Sequence, residues 1–219
     1  NVQIIHNSAD PIIDIYINGK LALNNFMYRN ATPLLLLQSI FTIGIAPANG
    51  TVIQEFSVEL SAGLTYVIIA TGLLGSDVTP FNLEVSIINC NVVEEGLVGL
   101  HLYHGASNVS VLDINANNHL LFSNISYGTF TDFILLPALE TKMNCSITKT
   151  QSKIDYFIDL SQYNTQTAVL FVSSHVSNHY PAFGLFIALN DGSVIELKST
   201  VSKIINLLPN KYNNISFNV

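Results

Sequence analysis

The chain has 219 residues and a formal net charge of −7, and only 11 % of its residues are charged, against about a quarter in an ordinary soluble domain. Mean hydropathy is +0.41, and the eight Lys and Arg are scattered, so neither nucleic acid nor an anionic lipid surface has an electrostatic footing. No apolar run approaches the roughly 18 residues needed to cross a bilayer; Pro33 to Leu37 and Tyr66 to Ala70 are candidate runs of five. No membrane span and no nucleic-acid partner are therefore expected.

The first β-like residues begin at Val2, directly after Asn1, a start expected of a processed secreted protein and equally of a trimmed chain. Further along, Phe41, Ile43 and Ile45 alternate with Thr42, Gly44 and Ala46, and Phe56, Val58 and Leu60 alternate with Ser57 and Glu59. Tyr156, Ile158 and Leu160 repeat the pattern, the period of a strand with one face in a core. Turn signals separate these runs at Asn18-Gly19, Asn49-Gly50, Ala62-Gly63, Asn117-Asn118 and Asp191-Gly192. Short strands with turns every 8 to 12 residues and no amphipathic helix describe a β-sandwich of immunoglobulin-like type.

The chain also repeats itself. His6-Asn7-Ser8-Ala9-Asp10, followed by Asp14-Ile15-Tyr16-Ile17, returns as His104-Gly105-Ala106-Ser107-Asn108, followed by Val111-Leu112-Asp113-Ile114. Tyr28 and Thr32 return as Tyr127 and Thr131, 99 residues on. A period of that length is a domain rather than a solenoid unit. Two tandem sandwiches are expected, at residues 1–92 and 93–198, with Cys90 to Glu95 as a short linker and 199–219 as a connector carrying one strand.

These residues resemble the DUF4397 family of secreted bacterial proteins, in the tandem form common among Bacteroidetes. The matching segments are Val2 to Asp10, Asp14 to Gly19, Tyr28 to Pro33, Ile43 to Pro47, and Pro181-Ala182-Phe183-Gly184-Leu185-Phe186 through Asp191-Gly192. The resemblance implies a β-sandwich fold, export, and no catalytic residues to carry over. Leu208-Pro209-Asn210-Lys211 resembles in part the Tyr-Pro-Asn-Pro-like opening of a sorting domain found in relatives, without its second proline.

Candidate chemistry is sparse. His6 and His104 hold equivalent places at the ends of first strands, with Asp14 and Asp113 as potential partners. The reading favoured is structural, each imidazole satisfying backbone groups of the following loop. His175 and His179 have metal-like spacing but no visible third ligand. Asp10/Asp14 and Asp155/Asp159 are carboxylate pairs four residues apart, about 13 Å on a strand, too far for a glycosidase pair. No nucleophile, zinc, phosphate or EF-hand motif occurs, so no cofactor, no metal and no enzymatic activity are expected. Cys145 reads as a buried thiol beside Met143 and Ile147, with a bridge to Cys90 as the alternative. Six Asn-X-Ser/Thr sites occur, at Asn30, Asn49, Asn108, Asn124, Asn144 and Asn214, relevant where a host glycosylates them.

Ile215, Phe217 and Val219 alternate with Asn214, Ser216 and Asn218, giving a strand with an apolar face to bury and no hairpin partner nearby. It is a candidate donor strand, either folding back on its own second domain or adding to a sheet of the next subunit. The function expected is a non-enzymatic extracellular structural protein, a self-assembling surface or filament subunit, with a homo-oligomer or polymer as its state. The alternative is a cell-surface adhesion or carbohydrate-binding module with a glycan or cell-surface partner, although the chain has no Trp and its nine Tyr are scattered.

Overall fold

The computed structural model describes residues 1–88, 93–109, 111–148, 152–174 and 183–200. It is all-β, with 61 % strand, 2 % helix and four sheets. The first half contributes β1 (Val2–His6), β2 (Ile13–Ile17), β3 (Lys20–Phe26), β4 (Ile40–Pro47), β5 (Gln54–Glu59), β6 (Thr65–Thr71) and β7 (Asn82–Ile88). They form sheets of order β1-β6-β7 and β3-β2-β4-β5.

The second half repeats this course with β8 (Leu97–Ala106), β9 (Val111–Ala116), β10 (His119–Ser126), β11 (Ile134–Pro137), β12 (Glu140–Ile147), β13 (Ser152–Asp159), β14 (Thr167–Ser174), β15 (Gly184–Leu189), β16 (Val194–Glu196) and β17 (Lys198–Ser199). Its sheets are β11-β8-β14-β15-β16 and β10-β9-β12-β13-β17. Among the described residues no sheet mixes strands of the two halves. One pairing departs from a purely antiparallel plan: β1 runs parallel to β6, and β8 parallel to β14. The expected connector starting at residue 199 is corrected slightly. Ser199 pairs with Tyr156 and the Thr200 amide donates to the Asp155 carbonyl, so both belong to the second sandwich.

Local chemistry explains the hairpins. Asn18 and Gly19 have φ of 50° and 74°, and Asn117 and Asn118 have 47° and 68°, the left-handed pair that a two-residue turn between twisted strands requires. Each turn asparagine also ties down a third strand: Asn18 Oδ1 accepts from the Thr42 amide at 2.9 Å and Asn117 Oδ1 from the Lys142 amide at 3.0 Å. Asn side chains of this chain thus hold backbone across neighbouring strands.

Each sandwich has its own core, one around Ile4, Ile15, Ile43 and Ile68 and the other around Leu102, Ile114, Met143, Cys145 and Leu170. A third apolar cluster lies between the halves, with Ile5, Val67, Ile69 and Ile88 of the first packed on Tyr103, Val169, Phe171 and Phe186 of the second. Residues that alternate along β1, β6, β8 and β14 thus serve two cores, one on each face of the sheet. That is why Val67 to Ala70 and Ala168 to Val172 are buried without a break.

The interface has approximate two-fold character. Thr71 and Ser173 follow the equivalent residues Ala70 and Val172, which pair with His6 and His104. Tyr28 OH meets Ser173 Oγ at 2.5 Å, and its counterpart Tyr127 OH meets Thr71 Oγ1 at 3.3 Å. Near the pseudo-axis Asn7 lies on Gly105, where an added Cβ would fall 1.8 Å from Asn7 Nδ2, so only glycine permits this approach. Gln3 Nε2 donates to the Leu189 carbonyl at 2.6 Å, and the Arg29 guanidinium lies 4.2 Å from the centre of the Phe186 ring.

Phe171 is fully buried in this seam and stacks on Phe186 at 5.4 Å. Phe171→Ala is expected to lower the unfolding free energy by about 3–5 kcal/mol, with both halves losing stability together. Calorimetry showing a second-domain transition shifted alone, with the first unaffected, would contradict a shared seam.

Candidate functional site

The positions that recur between the halves turn out to hold backbone in place. Asp14 Oδ1 accepts from the Asn25 amide at 2.7 Å, and Asp113 Oδ1 from the Asn124 amide at 2.6 Å. Both asparagines have positive φ, 53° and 55°, and sit where the β2–β3 and β9–β10 registers shift. The carboxylate therefore anchors a β-bulge whose amide has left the ladder. In the first domain Asp14 Oδ2 also accepts from the Asn49 amide at 3.0 Å. Thr32 and Thr131 Oγ1 accept from the Ile4 and Leu102 amides, fastening the outer flank of β1 and of β8.

His6 and His104 are both buried. The Ser8 amide donates to His6 Nδ1 at 3.3 Å, so the ring proton resides on Nε2 and points to the Pro11 carbonyl at 3.3 Å. The Ala106 amide donates likewise to His104 Nδ1. His104 Nε2 makes no hydrogen bond of normal geometry, and only the nearby Val109 carbonyl offsets its burial. Burial lowers both imidazoles from 6.5 to about 4.

The other expected pairs are placed apart from any common chemistry. Asp155 forms an ion pair with Lys142 at 2.6 Å, which holds its carboxyl below the usual range with help from Asn144. Asp159 caps the 3₁₀ turn Leu160–Tyr163 through the Ser161 amide. Asp10 is exposed and Asp14 is buried. Among the described residues no three His, Cys, Asp or Glu are grouped so as to hold a metal. Cys145 is a free thiol in the second core, pushed up to about 12 by burial. The Asn144 sequon lies on a central strand with its side chain donating to Asp155, a position closed to a glycan in the folded state. Cys90, His175, His179, Asn214, Ile215, Phe217 and Val219 lie outside the described residues.

What distinguishes the two halves is their edges. In the second domain β16 pairs with β15 and β17 with β13, so residues 194–199 cross the mouth between the sheets. Ile195 packs against the core and Leu197 is buried in it, with the Leu197 amide donating to the Leu185 carbonyl at 2.9 Å. In the first domain the equivalent strands β7 and β5 end their sheets. On the core-facing side of β15, Leu185, Ile187 and Leu189 are 0 %, 0 % and 8 % exposed, whereas their β7 counterparts Val85 and Ile87 are 43 % and 51 % exposed. Phe56 on β5 is half-buried where its counterpart Tyr156 is fully buried.

This edge lacks the usual protection of terminal strands. The β3 and β10 edges are broken by bulges, and that of β1 is flanked by bridges from Ala31 and Leu35. By contrast β7 pairs with β6 over seven consecutive residues without a shift, Thr65↔Ile88 to Thr71↔Asn82, and carries no proline. Its single charge, Glu84, stands on the opposite face from Val85 and Ile87. Sequence reasoning missed this site because a strand edge has no motif. The available signal was the sequence Val194-Ile195-Glu196-Leu197 after β15, set against Val92-Val93-Glu94-Glu95 after β7, where a charged residue stands in place of Leu197.

No protein-family model matches this chain, and no characterised protein matches it in sequence.

Because each histidine titrates near 6.5 when unfolded and near 4 when folded, the neutral ring favours the fold. Its contribution is complete above pH 6.5 and is lost as the pH falls towards 4, for up to about 3 kcal/mol per site. Urea midpoints should therefore drop less between neutral pH and about pH 4.5 in the His6→Gln/His104→Gln double variant than in the parent. Equal drops would show that these rings do not carry the acid sensitivity.

Proposed function

We propose that this protein is a non-enzymatic extracellular structural subunit that assembles with copies of itself by β-strand addition at the first domain. The observation that carries the reading is the open β5/β7 edge, with Val85 and Ile87 exposed at the mouth of a core whose twin is sealed. Backbone groups on an unbroken terminal strand, beside apolar side chains left in water, are the features that an added strand satisfies. Covering the exposed part of two such residues contributes on the order of 1 kcal/mol each, besides the ladder hydrogen bonds.

The packed seam between the halves supports the same reading, because a subunit of two sandwiches joined through a common core transmits load without bending at a hinge. Low charge fits a surface covered in an assembly. The resemblance to secreted tandem DUF4397 proteins supports export. An adhesion or carbohydrate-binding role has less behind it, since the chain has no Trp for sugar stacking and its nine Tyr are scattered.

Val85→Lys/Ile87→Lys places two charges at the open edge without touching the seam. The parent chain is expected to form oligomers or filaments by light scattering and electron microscopy, and the double variant to remain monomeric while melting normally. A parent chain that stays monomeric at high concentration would overturn the proposal.

A further inference from the structure

Residues 194–199 show what a completed edge looks like in this fold. The second domain seals itself with an alternating strand whose inward residues, Ile195 and Leu197, meet Ile187 and Leu185 across an antiparallel pair. The first domain presents the same acceptor face, Leu83, Val85 and Ile87 on β7, and has no such strand among the described residues. Beyond Thr200 the chain contains a segment with matching periodicity, Asn214-Ile215-Ser216-Phe217-Asn218-Val219. It has three apolar residues at alternate positions, as many as the acceptor offers, and small polar residues between them for the outer face.

We infer that residues 214–219 of one chain pair antiparallel with β7 of the next, Val219 opposite Leu83, Phe217 opposite Val85 and Ile215 opposite Ile87. This rests on the assembly reading above and names its occupant. The antiparallel sense follows from β16 on β15, since the acceptor strands are equivalent. In this register Phe217 is the residue that covers Val85, 43 % exposed without it.

Reach permits the connection. Residues 201–213 separate the last described residue, Thr200, from the donor segment, and thirteen extended residues span roughly 40–45 Å. The donor leaves from the second domain and the acceptor belongs to the first. The contact is therefore head to tail, and repetition gives an open chain rather than a closed dimer.

Three preparations test this: the full chain, a chain ending at Pro209, and a synthetic peptide of residues 210–219. The full chain should assemble, the shortened chain should be monomeric, and the peptide should bind the shortened chain and block assembly of the full one. In a Cys90→Ser background, mixing Val85→Cys chains with Phe217→Cys chains should give a disulfide-linked product of two chains. If the shortened chain assembles as the full one does, the tail is not the donor, although assembly at the open edge stands. A Val85→Cys/Phe217→Cys chain that cross-links only within itself would also overturn the inference. If the full chain does not assemble, the assembly reading fails, and peptide binding to the shortened chain still decides whether tail and slot recognise each other. Ile215→Asp/Phe217→Asp in the peptide should abolish binding, and equal binding would count against the register.

Discussion

A two-sheet sandwich is closed only if something covers the gap where its sheets part at the edge, and that constraint is met in one half of this molecule and unmet in the other. In the second domain Leu197 lies in the gap and Leu185, Ile187 and Leu189 are dry. In the first, eight residues separate β7 from β8, and among the described ones no strand pairs with the outer side of β7. Since β7 and β15 hold equivalent places and registers, the difference among the described residues lies in the short strand beyond β15 rather than in a different fold.

The seam between the halves explains why this asymmetry could persist. Strands β1, β6, β8 and β14 are buried on both faces, so the interdomain cluster of Ile69, Phe171 and Phe186 adds to whatever each sandwich contributes alone. A domain supported in this way can leave one edge incomplete and stay folded. The reciprocal Tyr28–Ser173 and Tyr127–Thr71 contacts have the form of an isologous interface, in which a surface patch meets its own copy. Duplication has since specialised it: Arg29, with φ of 65°, occupies the place of Gly128, with φ of 79°, and its guanidinium covers Phe186 and reaches Ser173.

Much of the architecture was legible in the residues. Alternation at Phe41 to Ile45 located β4, Asn-Gly and Asn-Asn marked hairpins, and the repeated order of His, Asp, Tyr and Thr marked two copies. The repeated polar residues were legible as positions but not as roles. That Asp14 and Asp113 anchor a bulge depends on an amide eleven residues away, across a hairpin whose register no pattern specifies. The seam was less visible. The uninterrupted apolar runs at Val67 to Ala70 and Ala168 to Val172 are the mark of a strand buried on both faces, but an isolated run of that length equally suits a one-sided strand with a hydrophobic neighbour. The open edge was the least visible, because it is marked only by the lack, among the described residues, of a strand beyond β7. The reading of Ile215, Phe217 and Val219 as a donor came from the sequence, and the acceptor came from comparing the two halves in three dimensions.

Backbone amide exchange on β7, followed against protein concentration with β15 as the internal reference, tests the central claim most directly. The account predicts that the outward β7 amides exchange rapidly in dilute protein and become protected on assembly, while β15 amides, covered by β16 within the chain, stay protected throughout. If β7 were as protected as β15 in dilute monomer, the edge would already be closed and the account would be wrong.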